Sequence, residues 1–183
     1  MAHPFFTIGH STRPLEEFIA LLNMAEVKAL ADVRKMPRSR TNPQFNAETL
    51  SGALDPISYC HIAALGGLRG HRRDAPPSPN DFWENKSLRN YADYAQTQAF
   101  HDGLAQLREI GHARTCAIMC AEAVWWRCHR RFIADYLLAA GETVFHILGP
   151  GRIEPAKLTP AAHQTADGAL VYAGQSEGAA AAP

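Results

Sequence analysis

Thr115-Cys116-Ala117-Ile118-Met119-Cys120, then Ala121-Glu122-Ala123-Val124-Trp125-Trp126, then a stretch running from Arg127 to Ala140 decides the fold. The first segment is a short, uninterrupted apolar run and reads as a strand. The last carries Phe132, Ile133, Tyr136 and Leu137 at helical spacing and reads as a helix over 127–140, with Gly141 where a C-terminal cap belongs. Thr143 to Leu148 returns to strand character. Strand, loop, helix and strand in succession is the unit of a parallel sheet.

Working toward the N-terminus, the same alternation repeats. Phe5 to Ile8 reads as a first strand ending at Gly9. Leu15, Phe18, Ile19 and Leu22 follow helical spacing behind Pro14, with Glu16 and Glu17 in the first turn. Val27 to Val33 reads as a strand buried on both faces, Asn46 to Leu54 as a short helix and Ile57 to Ile62 as a third strand. Leu88 to Ile110 reads as one long helix. Between them, Leu65 to Asn85 holds Gly66-Gly67, Gly70 and Ala75-Pro76-Pro77-Ser78-Pro79, a loop of the kind used as a lid or binding loop. The expectation is a single α/β domain over residues 1–150, with a mostly parallel sheet of about five strands and helices on both faces. Residues 151–176 read as an extension packed on or near it, and 177–183 as a disordered tail.

The chain has 183 residues, 46% hydrophobic and 20% charged, which suits one globular domain. No apolar run is long enough for a bilayer, and no basic region leads into a long apolar stretch, so the expected setting is the cytoplasm without a membrane partner. Formal net charge is zero, so no bulk field steers the chain to nucleic acid. Arginine nonetheless outnumbers lysine fourteen to four, clustered at Arg34/Arg38/Arg40, Arg69/Arg72/Arg73 and Arg127/Arg130/Arg131. Its planar fork suits phosphate and carboxylate oxygens, although each cluster alone is explained by solvation. The four cysteines, Cys60, Cys116, Cys120 and Cys128, are expected as thiols and lack zinc-finger spacing.

In open α/β sheets, ligands bind beyond the carboxyl ends of the strands. The strand assignments collect His10 and Ser11, Asp32 and Arg34, Cys60 and His61, and Cys120 and Glu122 at that edge, with His146 on the fifth strand. Cys120 is the candidate nucleophile, activated by helix-start amides and by Arg127 and Arg130; a buried inert thiol is the plain alternative. Glu122 is a candidate general base, metal ligand or arginine partner, or simply an acid at a helix start. For Cys128-His129-Arg130, a core cysteine with surface histidine and arginine competes with a helix that begins inside the segment and turns His129 and Arg130 to the cleft. His10 is a candidate proton relay, and Ser11 a hydroxyl donor or a cap for a helix near Thr12. Asp32 and Arg34 read as a local ion pair or an anion contact. Trp125-Trp126 suits stacking on a base, or an interface.

Thr7-Ile8-Gly9-His10-Ser11, Asp32-Val33-Arg34, Pro37-Arg38-Ser39, Gln44-Phe45-Asn46, Leu65-Gly66-Gly67, Cys120-Ala121-Glu122, Cys128-His129-Arg130-Arg131 and His146-Ile147 together resemble the family catalogued as Domain of Unknown Function 488. The likeness runs from about Phe5 to His146 and implies a shared architecture and site rather than an activity. A weaker similarity is to rhodanese-like domains, through Asp32-Val33-Arg34 and the strand-end Cys120. The loop here departs from theirs in carrying Glu122 and two tryptophans. It is also one residue longer than the cysteine-to-arginine loop of thiol phosphatases.

The functional expectation is therefore a thiol-dependent enzyme on an anionic substrate, whether phosphorylated, nucleotide-like or sulfur-bearing. Cys120, Glu122, His129 and His10 would be its catalytic groups, and Arg34, Arg127, Arg130, Ser11 and Ser39 its anion contacts. The alternatives are a nucleic-acid-binding or -processing module, and a metal site drawn from His10, Cys120, Glu122, Cys128 and His129. The sequence assigns no cofactor and no oligomeric state.

Overall fold

The computed structural model describes residues 2–174. Its main sheet has six strands in the order β3-β2-β4-β1-β5-β6: β1 Phe5–Gly9, β2 Ala29–Asp32, β3 Ser58–His61, β4 Cys116–Cys120, β5 Val144–Gly149 and β6 Arg152–Pro155. The first five are parallel, and β6 turns back along β5 antiparallel. The sixth strand thus comes from the segment after Pro150. A second hairpin pairs β7 Ala162–Gln164 with β8 Leu170–Tyr172 and buries Leu170 and Tyr172 in the core. The tail expected at 177–183 lies outside the described residues.

The period-two alternation of the strands explains the two-sided core. Phe6, Ile8, Leu30, Ala117 and Met119 point to the face covered by α1 Leu15–Met24 and α2 Ala47–Ala53, where Phe18, Leu22, Phe45 and Leu50 meet them. Phe5, Ala29, Ala31, Cys116, Ile118 and Cys120 point to the opposite face, against α3 Lys86–Tyr94, α4 Gln98–Ala113 and α5 Arg130–Ala139. Each fully buried Leu, Ile or Phe there contributes about 1.5–3 kcal/mol.

Three boundaries differ from expectation. The long helix read over 88–110 is two helices, broken at Ala95-Gln96-Thr97 because Thr97 caps the second, its Oγ1 accepting from the Phe100 amide at 3.4 Å. The helix read from Arg127 starts at Arg130, and Trp125–Arg127 forms a separate 3₁₀ turn. The helix read near Thr12 starts at Leu15 with Pro14 at its N-cap, so Ser11 is no cap. Residues 66–85 are irregular, as expected, and are tied down where the Phe82 amide donates to the Tyr172 carbonyl.

Candidate functional site

α1 leaves β1 toward β2 on one face of the sheet, whereas α5 leaves β4 toward β5 on the other. The strand order therefore switches direction between β1 and β4, the place where such sheets open a crevice at their carboxyl ends. Here the two chains stay joined beyond the strands: the His10 amide donates to the Cys120 carbonyl (2.9 Å) and the Ser11 amide to the Ala121 carbonyl (3.0 Å). Gly9 makes this possible. A Cβ there would lie 2.0 Å from the Glu122 carbonyl oxygen.

Two cysteines meet at this edge. Cys120 ends β4 facing α5, Cys128 lies two residues before α5, and their sulfurs are 2.8 Å apart, both thiols being buried. His129 lies beside them, with Nδ1 3.5 Å from the Cys128 sulfur. Its Nε2 is 2.7 Å from the Val33 carbonyl and must donate to it, which leaves Nδ1 to exchange a proton with the thiol. Gly67 fixes the ring from behind: a Cβ there would sit 2.9 Å from Nδ1. The Arg130 amide donates to the Cys128 sulfur at 3.5 Å, the contact expected of an anion at a helix N-terminus.

Arg130 supplies the charge. It is only 1% exposed, which overturns the reading of a surface arginine. Its Nη2 donates to the Glu122 carbonyl (2.7 Å) and Nη1 to Thr7 Oγ1 (3.4 Å), while the buried Nε has no hydrogen-bond partner among the described residues. Burial opposes its charge, and the nearby Cys120 and Cys128 sulfurs more than restore it, holding the guanidinium above its ordinary range.

These contacts divide the two thiols. Burial alone would raise Cys128, but the hydrogen bond from Cys120, the neighbouring His129 and Arg130 outweigh it and hold this thiol well below its usual value. Cys120 is pushed well above, first by burial and then by donating to Cys128. The lowered thiol was expected at Cys120 and lies at Cys128 instead. The helix amide and the histidine both face Cys128, not Cys120.

The remaining candidates divide as well. Glu122 enters through its carbonyl; its exposed carboxylate accepts from the Val124 amide at 3.4 Å and shapes the turn. Arg34 is held at Asp32, with Nε–Oδ1 at 2.9 Å and Nη2–Oδ2 at 2.6 Å, and also donates to the Phe45 carbonyl, so the ion-pair reading holds. His10 stacks on Phe45 and donates from Nδ1 to the Ser11 carbonyl, with Nε2 toward Arg34; burial lowers its pKa. Ser11 is half-buried at φ 49° and contributes its amide. Ser39 caps its own loop through the Asn42 amide, and Arg127 is exposed.

Three participants stand outside the expected catalytic and anion-binding sets. Thr7 bridges Arg130 and His146, whose Nδ1 lies 2.7 Å from Thr7 Oγ1. Trp125 covers His146, with ring centroids 4.2 Å apart and planes 7° off parallel. Burial, and then Arg130, push His146 down to about 4. The sequence marks His146 by its place on the fifth strand and Trp125 as a stacking residue, whereas Thr7, in the middle of β1, is marked only by its place in the Thr7-Ile8-Gly9-His10-Ser11 motif.

Among the described residues no group of three or more His, Cys, Asp or Glu is placed to hold a metal ion. Among the described residues no helix is long and apolar enough to cross a membrane. A separate cleft of about 350 Å³ runs between the loop at Arg69–Pro79 and the helix side at Asn90 and Tyr94. Arg69 stacks on Tyr94 there, and Tyr91 links that ring to His129.

In comparison with known proteins, residues 14–137 match the family described as domain of unknown function DUF488. No curated protein and no solved structure matches.

Proposed function

Because the chain belongs to the DUF488 family, a domain of unknown function, its chemistry is argued from its own site, and we propose a thiol-dependent enzyme acting on a small anionic substrate. Cys128 is the nucleophile, Cys120 its hydrogen-bond donor, His129 the group that takes and returns the proton, and Arg130 the cation. One observation carries this reading. A single sulfur receives a thiol at 2.8 Å, an imidazole nitrogen at 3.5 Å and a helix-start amide at 3.5 Å, beside a buried guanidinium. The unpartnered Arg130 Nε supports the anionic class, since a buried charged donor gains most from an oxyanion. Burial of both sulfurs favours a substrate of a few atoms, or a reacting group at the end of a larger one.

The test is the ultraviolet absorbance of thiolate across pH, which needs no reagent to reach a buried sulfur. The full chain is expected to show one thiolate forming well below roughly 8.5, the free-cysteine value. That step disappears in Cys128→Ser and persists in Cys120→Ser, whose hydroxyl still donates. A chain with no such step, or one lost in Cys120→Ser alone, overturns the assignment.

A second reading, single-stranded nucleic acid, is favoured by Trp126, which is 49% exposed beside the exposed Arg127. Binding of an oligonucleotide at low salt that weakens at least several-fold in Trp126→Ala supports it, and absence of binding removes it.

A further inference from the structure

Cys120 has chemistry that a simple nucleophile site does not use. It is a second thiol, buried, converging on Cys128 from a different element, with its sulfur 2.8 Å away. A sulfur–sulfur bond of about 2.05 Å lies within reach of a small side-chain rotation from that position. The other two cysteines provide a contrast inside the same chain. Among the described residues Cys60 and Cys116 have no sulfur partner within hydrogen-bond reach, and burial pushes the Cys116 thiol up to about 12.

We propose that Cys120 and Cys128 form a reversible two-electron dithiol–disulfide couple, in which Cys128 attacks a hydroperoxide and Cys120 resolves the product. The inference deepens the function proposed above and rests on its assignment of Cys128. In the first step the Cys128 sulfur attacks the terminal peroxide oxygen. The S–O bond forms, the O–O bond breaks, and the departing oxyanion faces Arg130 and takes a proton from His129, leaving as alcohol or water. In the second, the Cys120 sulfur attacks the sulfenic sulfur. The S–S bond forms, and the hydroxyl leaves with the Cys120 proton as water. Two thiols and one hydroperoxide thus give one disulfide, one alcohol and one water. A dithiol reductant restores the pair by exchange, itself becoming a disulfide. Burial selects the oxidant: a hydroperoxide reaches sulfurs that are 2% and 5% exposed, whereas a folded protein's disulfide does not. Arg130 fits the step because it faces the sulfurs while its Nε has no hydrogen-bond partner among the described residues.

The experiment treats the reduced full chain with one equivalent of hydrogen peroxide, then counts thiols and maps linked peptides by mass spectrometry. The expected result is loss of two of the four thiols, a Cys120–Cys128 linked peptide, and full recovery with a small dithiol. Cys120→Ser is expected to stop at a Cys128 sulfenic acid that a dione probe traps. Four remaining thiols, a link through Cys60 or Cys116, or wild-type Cys128 running on to sulfinic acid beside a free Cys120 each overturn the couple. The two proposals fail separately. A low-pH thiolate without the disulfide leaves the nucleophile and removes the couple. A Cys120–Cys128 disulfide without a low-pH thiolate keeps the dithiol–disulfide pair but removes Cys128 as the attacking sulfur, and with it the nucleophile assignment.

Discussion

Replacing Asp32 with Ala removes the partner of a buried charge and leaves the rest of the sheet edge in place. Asp32 is fully buried and accepts from Arg34 Nε, Nη2 and backbone N, and from Tyr59 Oη at 2.6 Å. Arg34 is only 6% exposed. Once the carboxylate is gone, the guanidinium keeps only the Phe45 carbonyl and faces His10, a poor substitute for an anion. Breaking a buried pair from one side costs about 3–5 kcal/mol, since the surviving charge is stranded. For a chain of this size each kcal/mol shifts Tm by roughly 2–4 °C, so Asp32→Ala is expected to melt about 6–20 °C lower. Urea unfolding of Asp32→Ala, Arg34→Met and the double variant measures the pair directly. The double variant is expected to lose at least about 1 kcal/mol less than the sum of the singles, because neither charge then remains buried. Strict additivity, or an Asp32→Ala loss under about 1 kcal/mol, refutes the view of Arg34 as a structural cation.

His146 predicts a pH dependence. Its folded pKa is lowered from 6.5 to about 4, so between those values the unfolded chain binds a proton that the folded chain does not. Stability is therefore full above about 6.5 and falls as pH drops toward 4, by roughly 3 kcal/mol at about 1.4 kcal/mol per pH unit. His10, lowered by burial, acts in the same sense. Denaturation midpoints of the parent and of His146→Gln, followed over this range, check the assignment; equal pH slopes in the two proteins contradict it. Gly67→Ala places a methyl 2.9 Å from His129 Nδ1 and must displace the ring. The thiolate transition is expected to move to higher pH in this variant, and an unmoved transition means that His129 does not tune Cys128.

Much of the architecture was legible because the strands are written as short apolar runs between helices with clear periodicity. Two-sided burial of Ala29–Asp32 and Cys116–Cys120 leaves no polar face to blur that reading. The helix break at Ala95–Thr97 escaped because Leu88, Tyr91, Ala95 and Phe100 keep an apolar stripe across it, and only the Thr97 cap marks the interruption. Cys120, His129 and Arg130 were recognisable as residue types at a strand-end loop. Which thiol carries the charge was not. That depends on the helix starting at Arg130 rather than Arg127, which turns Arg130 inward and sets an amide on the Cys128 sulfur. The boundary takes Arg127, Cys128 and His129 out of the helix, and Cys128 thereby lies where the first free amide of α5 reaches its sulfur. That Arg34 is held by Asp32 and the Phe45 carbonyl was not legible either, because the sequence does not say which donors are already engaged.

The position of β1 has a consequence for how the molecule comes to exist. Phe5, near the start of the chain, lies between Cys116 and Val144, so the sheet's central strand finds neither neighbour until most of the chain has been made. Pairings of such long sequence separation form slowly, since the intervening chain must be ordered first. During synthesis β2 and β3 can pair early, while β1 waits with both edges open. Thr7, His10 and the amides that join the β1 loop to Cys120 and Ala121 arrive with that strand. The site is thus among the last parts of the protein to be assembled, and its presence reports that the whole sheet has closed.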